Sequence, residues 1–311
     1  MGEGQPVIGI DVGGTRIKVA LVAPDGQVLR DHVRTTPVDL ATTMVETIRD
    51  IVHAIGGEGC AIGLVVPGLV DDHEGVGVWA ANLGWTDLPI RAMVERALGV
   101  PVAVGHDVRA GLLGEHHHGA AKDCDDVVFV ALGTGLAIAA MSSGAVVSGT
   151  PWTGELGHIV VVPDGRRCGC GQLGCLETVA SARGIAAEFV CRGAGQSSPA
   201  PSEGEAVTIG ADHVAALVDS GDALATQVWQ ESIDHLTGAL APVLTTLGTQ
   251  RVVIGGGLIG AGETYLRPFR GSLAARLPQR MEVEVVAAEL GDRAASLGAA
   301  VLARALIQSR Q

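Results

Sequence analysis

Residue types that can bind a metal ion are concentrated in one segment of the sequence. Gly154-Glu155-Leu156-Gly157-His158 is followed by Cys168-Gly169-Cys170-Gly171 and then by Gly174-Cys175-Leu176-Glu177. One histidine and three cysteines are the ligand set of a tetrahedral structural zinc site, in which four protein ligands leave no position for a substrate. We therefore expect a structural zinc, with three unligated thiols as the alternative. The predicted ligands are His158, Cys168, Cys170 and Cys175.

Two glycine-rich bends have the composition of phosphate-binding turns. Asp11-Val12-Gly13-Gly14-Thr15 follows a predicted strand, and its glycines would let backbone N–H groups approach a phosphate closely. The Thr15 hydroxyl adds a donor, and Asp11 could hold a magnesium-bound water. Gly133-Thr134-Gly135 stands at the corresponding place in the second half, so the two bends could clamp a triphosphate. The alternatives are an ordinary tight turn and a plain hairpin turn, and the first bend lacks the Gly-Lys-Ser/Thr of a Walker A loop.

A third glycine-rich segment follows a predicted strand in the second half of the chain. Gly255-Gly256-Gly257 comes directly after the apolar run Arg251–Ile254. Three glycines would let the backbone pass under a flat ring or a phosphate without a Cβ clash. The segment is therefore a candidate nucleotide-binding loop, and a simple bend between strand and loop is the alternative.

Asp107 occupies a position where a carboxylate could act in catalysis. It follows the short predicted strand Pro101–Val104 and begins an apparent helix, Val108–His118. Ligand sites of α/β proteins gather at the carboxyl ends of strands, where an aspartate can serve as a general base. A carboxylate at the start of a helix can also simply cap it. Both roles stay open at this point.

The elements that would position these residues indicate an α/β protein of two similar halves. Three predicted strands begin the first half and three more begin the second, and each set has a glycine-rich bend between its first two strands. This recurrence suggests a duplicated architecture with a cleft between the halves. The predicted strands are Val7–Ile10, Ile17–Val22, Gln27–Arg34, Cys60–Val66, Val127–Leu132, Leu136–Met141 and Ala145–Val147. The predicted helices include Leu40–Ile55, Leu88–Leu98, Ala182–Cys191, Ala223–Leu247 and Ala294–Ile307.

Composition excludes several classes of protein. The chain has 311 residues, which suits two domains, and 47% hydrophobic residues, which provide ample material for buried cores. Its formal net charge of -13 argues against non-specific nucleic-acid binding. The N-terminus lacks the features of a signal peptide, no apolar stretch is suited to spanning a membrane, and the clustered cysteines favour metal over disulfides. We therefore expect a cytoplasmic protein that binds neither nucleic acid nor membrane.

Taken together and in this order, the motifs resemble the ROK family of repressors, open reading frames and kinases. The D-x-G-G-T phosphate loop is matched by Asp11–Thr15, and the G-E-x-G-H and C-x-C-G-x-x-G-C-x-E segments are matched between Gly154 and Glu177. Gly255–Gly257 is similar to the adenosine loop of the family, and Leu290–Ala300 to its closing helix. The likeness extends over nearly the whole chain.

The resemblance implies a two-domain actin-like (ribonuclease H-like) sugar kinase fold with the active site in an interdomain cleft. It implies that Asp107 is the general base and that Glu155, His158 and Glu177 bind sugar hydroxyls, with His158 also a zinc ligand. ATP, Mg²⁺ and a structural Zn²⁺ are the implied cofactors, and a homodimer or homotetramer is the implied assembly. The expected domains are residues 1–120, with 294–311 packing back on them, and residues 121–293. The remaining predicted sugar-binding residues are Gly68, Asn82 and His106.

The sequence departs from the family pattern at two places. His106 stands before Asp107 where the family usually has an asparagine that contacts the sugar. Leu136-Ala137-Ile138-Ala139 follows the second bend where the family has several glycines, which could alter the grip on phosphate.

The function implied is transfer of the γ-phosphate of ATP to a hexose, at the 6-hydroxyl, with glucose as the first choice of sugar. An N-acetylglucosamine or N-acetylmannosamine kinase is the alternative substrate choice. A sugar-responsive repressor is disfavoured, because Asp11 lies too near the start to leave room for a helix-turn-helix domain. A non-catalytic sugar sensor is disfavoured by the presence of Asp11, Thr15 and Asp107.

Overall fold

The computed structural model describes residues 4–80, 83–194 and 209–310, which divide into two compact units. Unit 1 comprises Met1–Lys122, Ser148–Thr153 and Leu290–Gln311. Unit 2 comprises Asp123–Val147 and Gly154–Glu289. Within the described ranges, no helix has both the length and the apolar character needed to cross a membrane.

The first part of the chain combines groups of strands with single helices. Its elements are, in chain order, β1 (Val7–Val12), β2 (Arg16–Val22), β3 (Val28–Thr35), α1 (Leu40–Ile55), β4 (Ala61–Val66), β5 (Leu69–Asp71), β6 (Val76–Ala80), β7 (Trp85–Leu88), α2 (Ile90–Leu98), β8 (Val102–His106) and α3 (Asp107–His118). The helix α1 shows why the sequence specifies these elements. Leu40, Met44, Ile48 and Ile55 are buried along one face, and the helix ends at Gly56 in the left-handed conformation.

The second part of the chain begins again with a strand meander and ends in a long helix. Its elements are β9 (Val127–Leu132), β10 (Leu136–Ser142), β11 (Ala145–Val146), α4 (Glu177–Ala180), α5 (Ala182–Gly193), α6 (Ala211–Asp219), α7 (Ala223–Leu247), β12 (Arg251–Gly255), α8 (Glu263–Ala274), β13 (Glu284–Ala287) and α9 (Ala294–Ser309). Short 3₁₀ helices lie at Leu156–His158, Gly257–Ala261 and Gly291–Arg293.

The two units contain sheets of the same strand order. In unit 1 the order is β3-β2-β1-β4-β8, and in unit 2 it is β11-β10-β9-β12-β13. In each sheet the first three strands are antiparallel neighbours and the last three are parallel neighbours. The duplicated α/β architecture predicted from the recurring bends is therefore confirmed in the topology of the sheets. A smaller antiparallel sheet, β5-β6-β7, extends unit 1 and was not predicted from the sequence.

The parallel strands collect residues from distant parts of the chain at one edge of each sheet. In unit 1, Asp11 pairs with Val65 and Val66 pairs with His106, so the carboxyl ends of β1, β4 and β8 lie side by side. In unit 2, Gly255 at the end of β12 pairs with Ala131 near the end of β9. This is the edge at which α/β proteins bind ligands.

The helix α9 packs in the core of unit 1 against elements far away in sequence. A Cβ on Gly9 of β1 would overlap the carbonyl oxygen of Ser296, and one on Gly63 of β4 would overlap that of Ala299. Gly298 of α9 likewise lies directly against the Ala110 carbonyl of α3. Glycine at these positions lets the backbones of helix and sheet approach closely.

Candidate active site

The predicted site residues fall into two sets, one in each unit. In unit 1, Asp11 lies next to the end of β1, a strand that is buried throughout, and the turn that follows is held by backbone and side-chain hydrogen bonds. Gly13 N–H donates to the Arg16 carbonyl at 2.9 Å, and the Thr36 hydroxyl donates to the Gly13 carbonyl at 2.6 Å. Gly14 and Thr15 are exposed at the tip of this turn. The turn thus has the fixed base and open tip that a phosphate-binding turn requires.

Asp11 belongs to a cluster of charged side chains. The Lys18 ammonium lies 3.9 Å from the Asp11 carboxylate and 3.5 Å from the Asp292 carboxylate. Burial raises the pKa of Asp11 to about 7, and the negative charge of Asp107 adds to this effect while Lys18 opposes it. The ion pairs of Lys18 with Asp11 and with Asp292 were not predicted from the sequence. The pair with Asp292 joins segments that are far apart in the chain, and a single sequence does not reveal such contacts.

Asp107 is the first residue of α3, next to the carboxyl end of β8. The N-cap of α3 is His106, whose side chain accepts a hydrogen bond from the Val108 N–H. The Asp107 Oδ1 accepts a hydrogen bond from the same N–H at 2.7 Å. His106 is therefore the N-cap residue of α3, a role that the sequence also allowed for Asp107. Asp107 lies close enough to Asp11 for its negative charge to raise the pKa of Asp11.

A buried arginine two residues after Asp107 connects α3 to the small sheet. The Arg109 side chain donates to both carboxylate oxygens of Asp72, at 2.8 and 2.9 Å. It also donates to the carbonyls of Val70 and Thr153. This bidentate pair, which sequence reasoning missed, fixes the start of α3 and with it the backbone of Asp107.

Gly68, another predicted sugar-binding residue of unit 1, lies near the small sheet. Gly68 follows β4 with a φ of +87°, and a Cβ there would overlap the Trp79 carbonyl of β6. Only glycine suits both this backbone conformation and this close approach. Asn82 lies outside the described residues.

In unit 2, the Gly133–Gly135 turn joins β9 to β10 and is held by the segment that contains the cysteines. The Leu136 N–H donates to the Glu177 carboxylate at 2.8 Å, and the Ala182 N–H donates to the Gly133 carbonyl at 2.9 Å. The structure therefore brings the predicted phosphate turn together with Glu177, one of the predicted sugar ligands.

The glycine triplet lies beside the same turn. Gly256 has a φ of +90°, and a Cβ there would overlap the backbone of Leu132, the residue before Gly133. Gly257 is exposed and has no atoms of other segments close to the position of a Cβ. The two glycine segments predicted to bind nucleotide are therefore neighbours at the edge of the unit 2 sheet.

The histidine and the three cysteines converge on one point. Their ligand atoms all lie within 4.8 Å of one another. The Cys168 Sγ is 3.4 Å from the His158 Nδ1, and the Cys170 Sγ is 3.6 Å from the Cys175 Sγ. A tetrahedral zinc with bonds of about 2.0–2.3 Å requires ligand separations of about 3.5–3.8 Å, and these two contacts are close to that range. One histidine and three cysteines are also a donor set that suits this metal.

The surroundings of this point affect the protonation of its thiols and the orientation of its histidine. Burial raises the pKa of the Cys168 thiol and raises that of Cys175 to about 11, so without a cation both thiols stay protonated at neutral pH. The His158 Nε2 lies 3.7 Å from the Glu155 carboxylate, on the opposite side of the ring from the cysteines. A carboxylate behind a ligating histidine is a common arrangement in metal sites.

The sheets and these motifs together define a protein with the actin-like two-domain fold of sugar kinases. The sequence profile of the ROK family matches residues 7–306, and the chain therefore belongs to the ROK family.

Its relatives include sugar kinases over nearly the full length. A glucokinase of Halalkalibacterium halodurans is 32% identical over 306 residues, which cover 94% of this chain and 92% of that protein. An N-acetylmannosamine kinase of Escherichia fergusonii is 29% identical over 96% of this chain and 98% of its own. The crystal structure of a ROK family glucokinase from Streptomyces griseus in complex with glucose and AMPPNP superimposes with a TM-score of 0.80 at 32% identity, over 96% of this chain and 99% of that one.

Proposed function

We propose that this protein transfers the γ-phosphate of ATP to the 6-hydroxyl of a hexose, with glucose as the first candidate. The observation that carries the proposal is the position of Asp107 at the same sheet edge as the Asp11–Thr15 turn. A carboxylate beside a phosphate-binding turn suits phosphoryl transfer to a hydroxyl, which depends on positioning and on a base. The full-length similarity to glucokinases supports this choice of acceptor.

In this mechanism Asp107 accepts the proton of the attacking sugar hydroxyl. The hydroxyl oxygen forms a bond to the γ-phosphorus while the bond between that phosphorus and the bridging oxygen of ADP breaks. The N–H groups of the exposed residues Gly14 and Thr15 and the Thr15 hydroxyl would hold the phosphates. Asp11 would bind Mg²⁺ through water, and this ion supplies neutralisation of the phosphate charge.

The proposed nucleotide and sugar contacts of unit 2 come from two neighbouring segments. The Gly133–Gly135 turn and the Gly255–Gly257 triplet would bind phosphate and adenosine. Glu155, His158 and Glu177 would hydrogen-bond sugar hydroxyls, and Gly68 would line the sugar site in unit 1. Similarity to N-acetylmannosamine kinases favours a second candidate, in which the acceptor is an N-acetylhexosamine. The family resemblance further supports a cytoplasmic homodimer or homotetramer.

We also propose that the protein binds a structural zinc ion. Its ligands would be His158, Cys168, Cys170 and Cys175. The convergence of the four ligand atoms supports it. The metal would fix the segment from which Glu155 and Glu177 project, so its loss should lower activity indirectly.

Metal analysis of the purified protein tests this zinc site directly. We expect one zinc per chain in the purified wild type and much less than one in Cys170→Ser, with a lower melting temperature. Cys60→Ser, which changes a cysteine outside the cluster, should keep the full zinc content. An active wild-type preparation with much less than one zinc per chain would disprove the site.

The catalytic proposal is tested by sugar-dependent release of ADP. Glucose, mannose, N-acetylglucosamine and N-acetylmannosamine should be compared at matched concentrations, and 6-deoxyglucose is the control because it lacks the acceptor hydroxyl. We expect turnover with at least one hexose and ADP release at the sugar-free level with 6-deoxyglucose. ADP release that no sugar stimulates would rule out the proposed function.

A further inference from the structure

His106 is almost completely enclosed by protein. Its side chain is 3% exposed, and it lies at the junction of β8 and α3. The Nδ1 atom accepts a hydrogen bond from the Val108 N–H at 3.2 Å. The Nε2 atom, on the other side of the ring, lies 3.5 Å from the Asp107 Oδ1. Both ring nitrogens therefore face groups of the protein itself.

These contacts determine which nitrogen holds the proton. A nitrogen that accepts a hydrogen bond from an N–H must present a lone pair, so Nδ1 of His106 is unprotonated. The single proton of a neutral imidazole then resides on Nε2. That N–H faces the Asp107 carboxylate, where a positive hydrogen beside a negative oxygen is favourable.

From this geometry we propose that His106 is a positioning residue for Asp107 and does not bind the sugar. The inference rests on the proposed function, in which Asp107 is the general base. The Asp107 Oδ1 is held by the Val108 N–H on one side and faces the His106 N–H on the other. Since the imidazole ring of His106 is rigid and enclosed, it limits rotation of the Asp107 carboxylate about the side-chain bonds of Asp107.

A fixed carboxylate matters because proton transfer depends on the direction from which the base approaches the hydroxyl. A small displacement of a reacting group can lower the rate by one to two orders of magnitude without affecting substrate binding. Loss of the Nε2 contact should therefore lower kcat and leave the KM values for sugar and ATP nearly unchanged. Loss of a sugar ligand would instead change the sugar KM and the order of preferred sugars.

Two amide substitutions separate the contacts of the two ring nitrogens. In His106→Asn the side-chain oxygen can replace Nδ1 as acceptor from Val108, and asparagine is a preferred N-cap residue, but its amide does not extend to the position of Nε2. In His106→Gln the amide nitrogen can occupy the position of Nε2 and donate to Asp107, while the capping contact is lost. His106→Ala removes both contacts.

The experiment measures kcat, KM and melting temperature for these three variants with the preferred sugar of the wild type. We expect kcat to fall on the order of tenfold in His106→Asn and His106→Ala and to stay within about twofold of the wild type in His106→Gln. A purely capping role predicts the reverse order, because asparagine would then serve well and glutamine poorly. If His106→Gln does not fold, the comparison of Asn with Ala still decides, since a capping role predicts that only Ala is impaired.

Three results would overturn the positioning role. They are a wild-type kcat in His106→Asn, a loss of kcat confined to His106→Gln, and equal losses of kcat in the Asn and Gln variants. A change in sugar KM and sugar preference with unchanged kcat would also overturn it and restore His106 as a sugar ligand. Failure of the proposed function has a different signature, because the wild type itself would then show no sugar-dependent turnover.

Discussion

At the scale of single residues, the burial of Asp11 makes the stability of the protein depend on pH. The pKa of this carboxyl is raised from 3.8 to about 7 in the folded chain. Between these values the folded state retains a proton that the unfolded state has lost. The free energy of unfolding therefore decreases as the pH rises through this window, by up to about 1.4 kcal/mol per pH unit.

Asp11→Asn should remove this dependence, because asparagine does not ionise. In metal-free buffer we expect the variant to gain stability relative to the wild type as the pH is raised from 5 to 8. Denaturant unfolding at four pH values measures the effect, with Asp31→Asn on the exposed face of β3 as the control. Curves for Asp11→Asn and wild type that stay parallel over this range would contradict the assigned burial effect. The same variant should lose kinase activity.

Some residues of the site could be predicted from the sequence because their types and spacing are distinctive. The spacing of His158 and the three cysteines predicted ligand atoms that the structure brings within 4.8 Å of one another. Lys18 and the Arg109–Asp72 pair were not predicted, since a single charged residue in a strand or helix gives no sign of its distant partner. The roles of Asp107 and of the sugar ligands stay predictions.

At the scale of elements, the β9–β10 turn depends on the side chain of Glu177. A Cβ on Gly135 would lie 2.7 Å from the Glu177 Oε2, which accepts the Leu136 N–H. Gly135→Ala should therefore displace this carboxylate and break its hydrogen bond to the turn. We expect a loss of about 0.5–1.5 kcal/mol in stability, the net contribution of one hydrogen bond, and an increase in the KM for ATP.

Gly133→Ala is the matched control for stability, since a Cβ at Gly133 would have no atom of another segment within 4 Å. Thermal unfolding should show a lower melting temperature for Gly135→Ala and little change for Gly133→Ala. Equal melting temperatures of the two variants would show that Glu177 does not restrain the turn.

The elements that the sequence predicted well are those with a long or strongly apolar pattern. β1, β9, α1 and α7 follow the predicted bounds within a few residues, and α7 does so despite Pro242 in its interior. The missed elements lack such a pattern. β13 has four residues at a sheet edge, β6 contains a glycine, and α8 contains Pro268 and Gly271, which disfavour a helix unless tertiary packing compensates.

At the scale of the whole molecule, the stability of unit 1 depends on residues from both ends of the chain. The helix α9 packs on β1, β4 and α3, with glycines at the closest approaches. Gly298→Ala would insert a methyl group against the Ala110 carbonyl, a backbone atom that cannot move away alone. We expect Gly298→Ala to lower the free energy of unfolding by about 1–3 kcal/mol.

Gly271→Ala provides the comparison, because Gly271 is an exposed helical glycine with open space around it. Alanine there should stabilise the helix by up to about 1 kcal/mol. Melting temperatures should thus change in opposite directions for the two Gly→Ala variants. A Gly298→Ala variant as stable as the wild type would contradict the close packing of α9.

In the proposed mechanism the activity of the whole enzyme depends on Asp107 as the base, and Asp107→Asn tests this role directly. The substitution keeps the size of the side chain but removes the base that would accept the proton of the sugar hydroxyl. The measurement is the rate of phosphate transfer from ATP to glucose, or to the best sugar of the panel, with sugar binding determined separately by calorimetry. We predict a decrease in kcat of roughly 10²–10⁴-fold, with sugar affinity and melting temperature close to those of the wild type. Near-normal turnover by Asp107→Asn would contradict the proposed role of Asp107 as the general base.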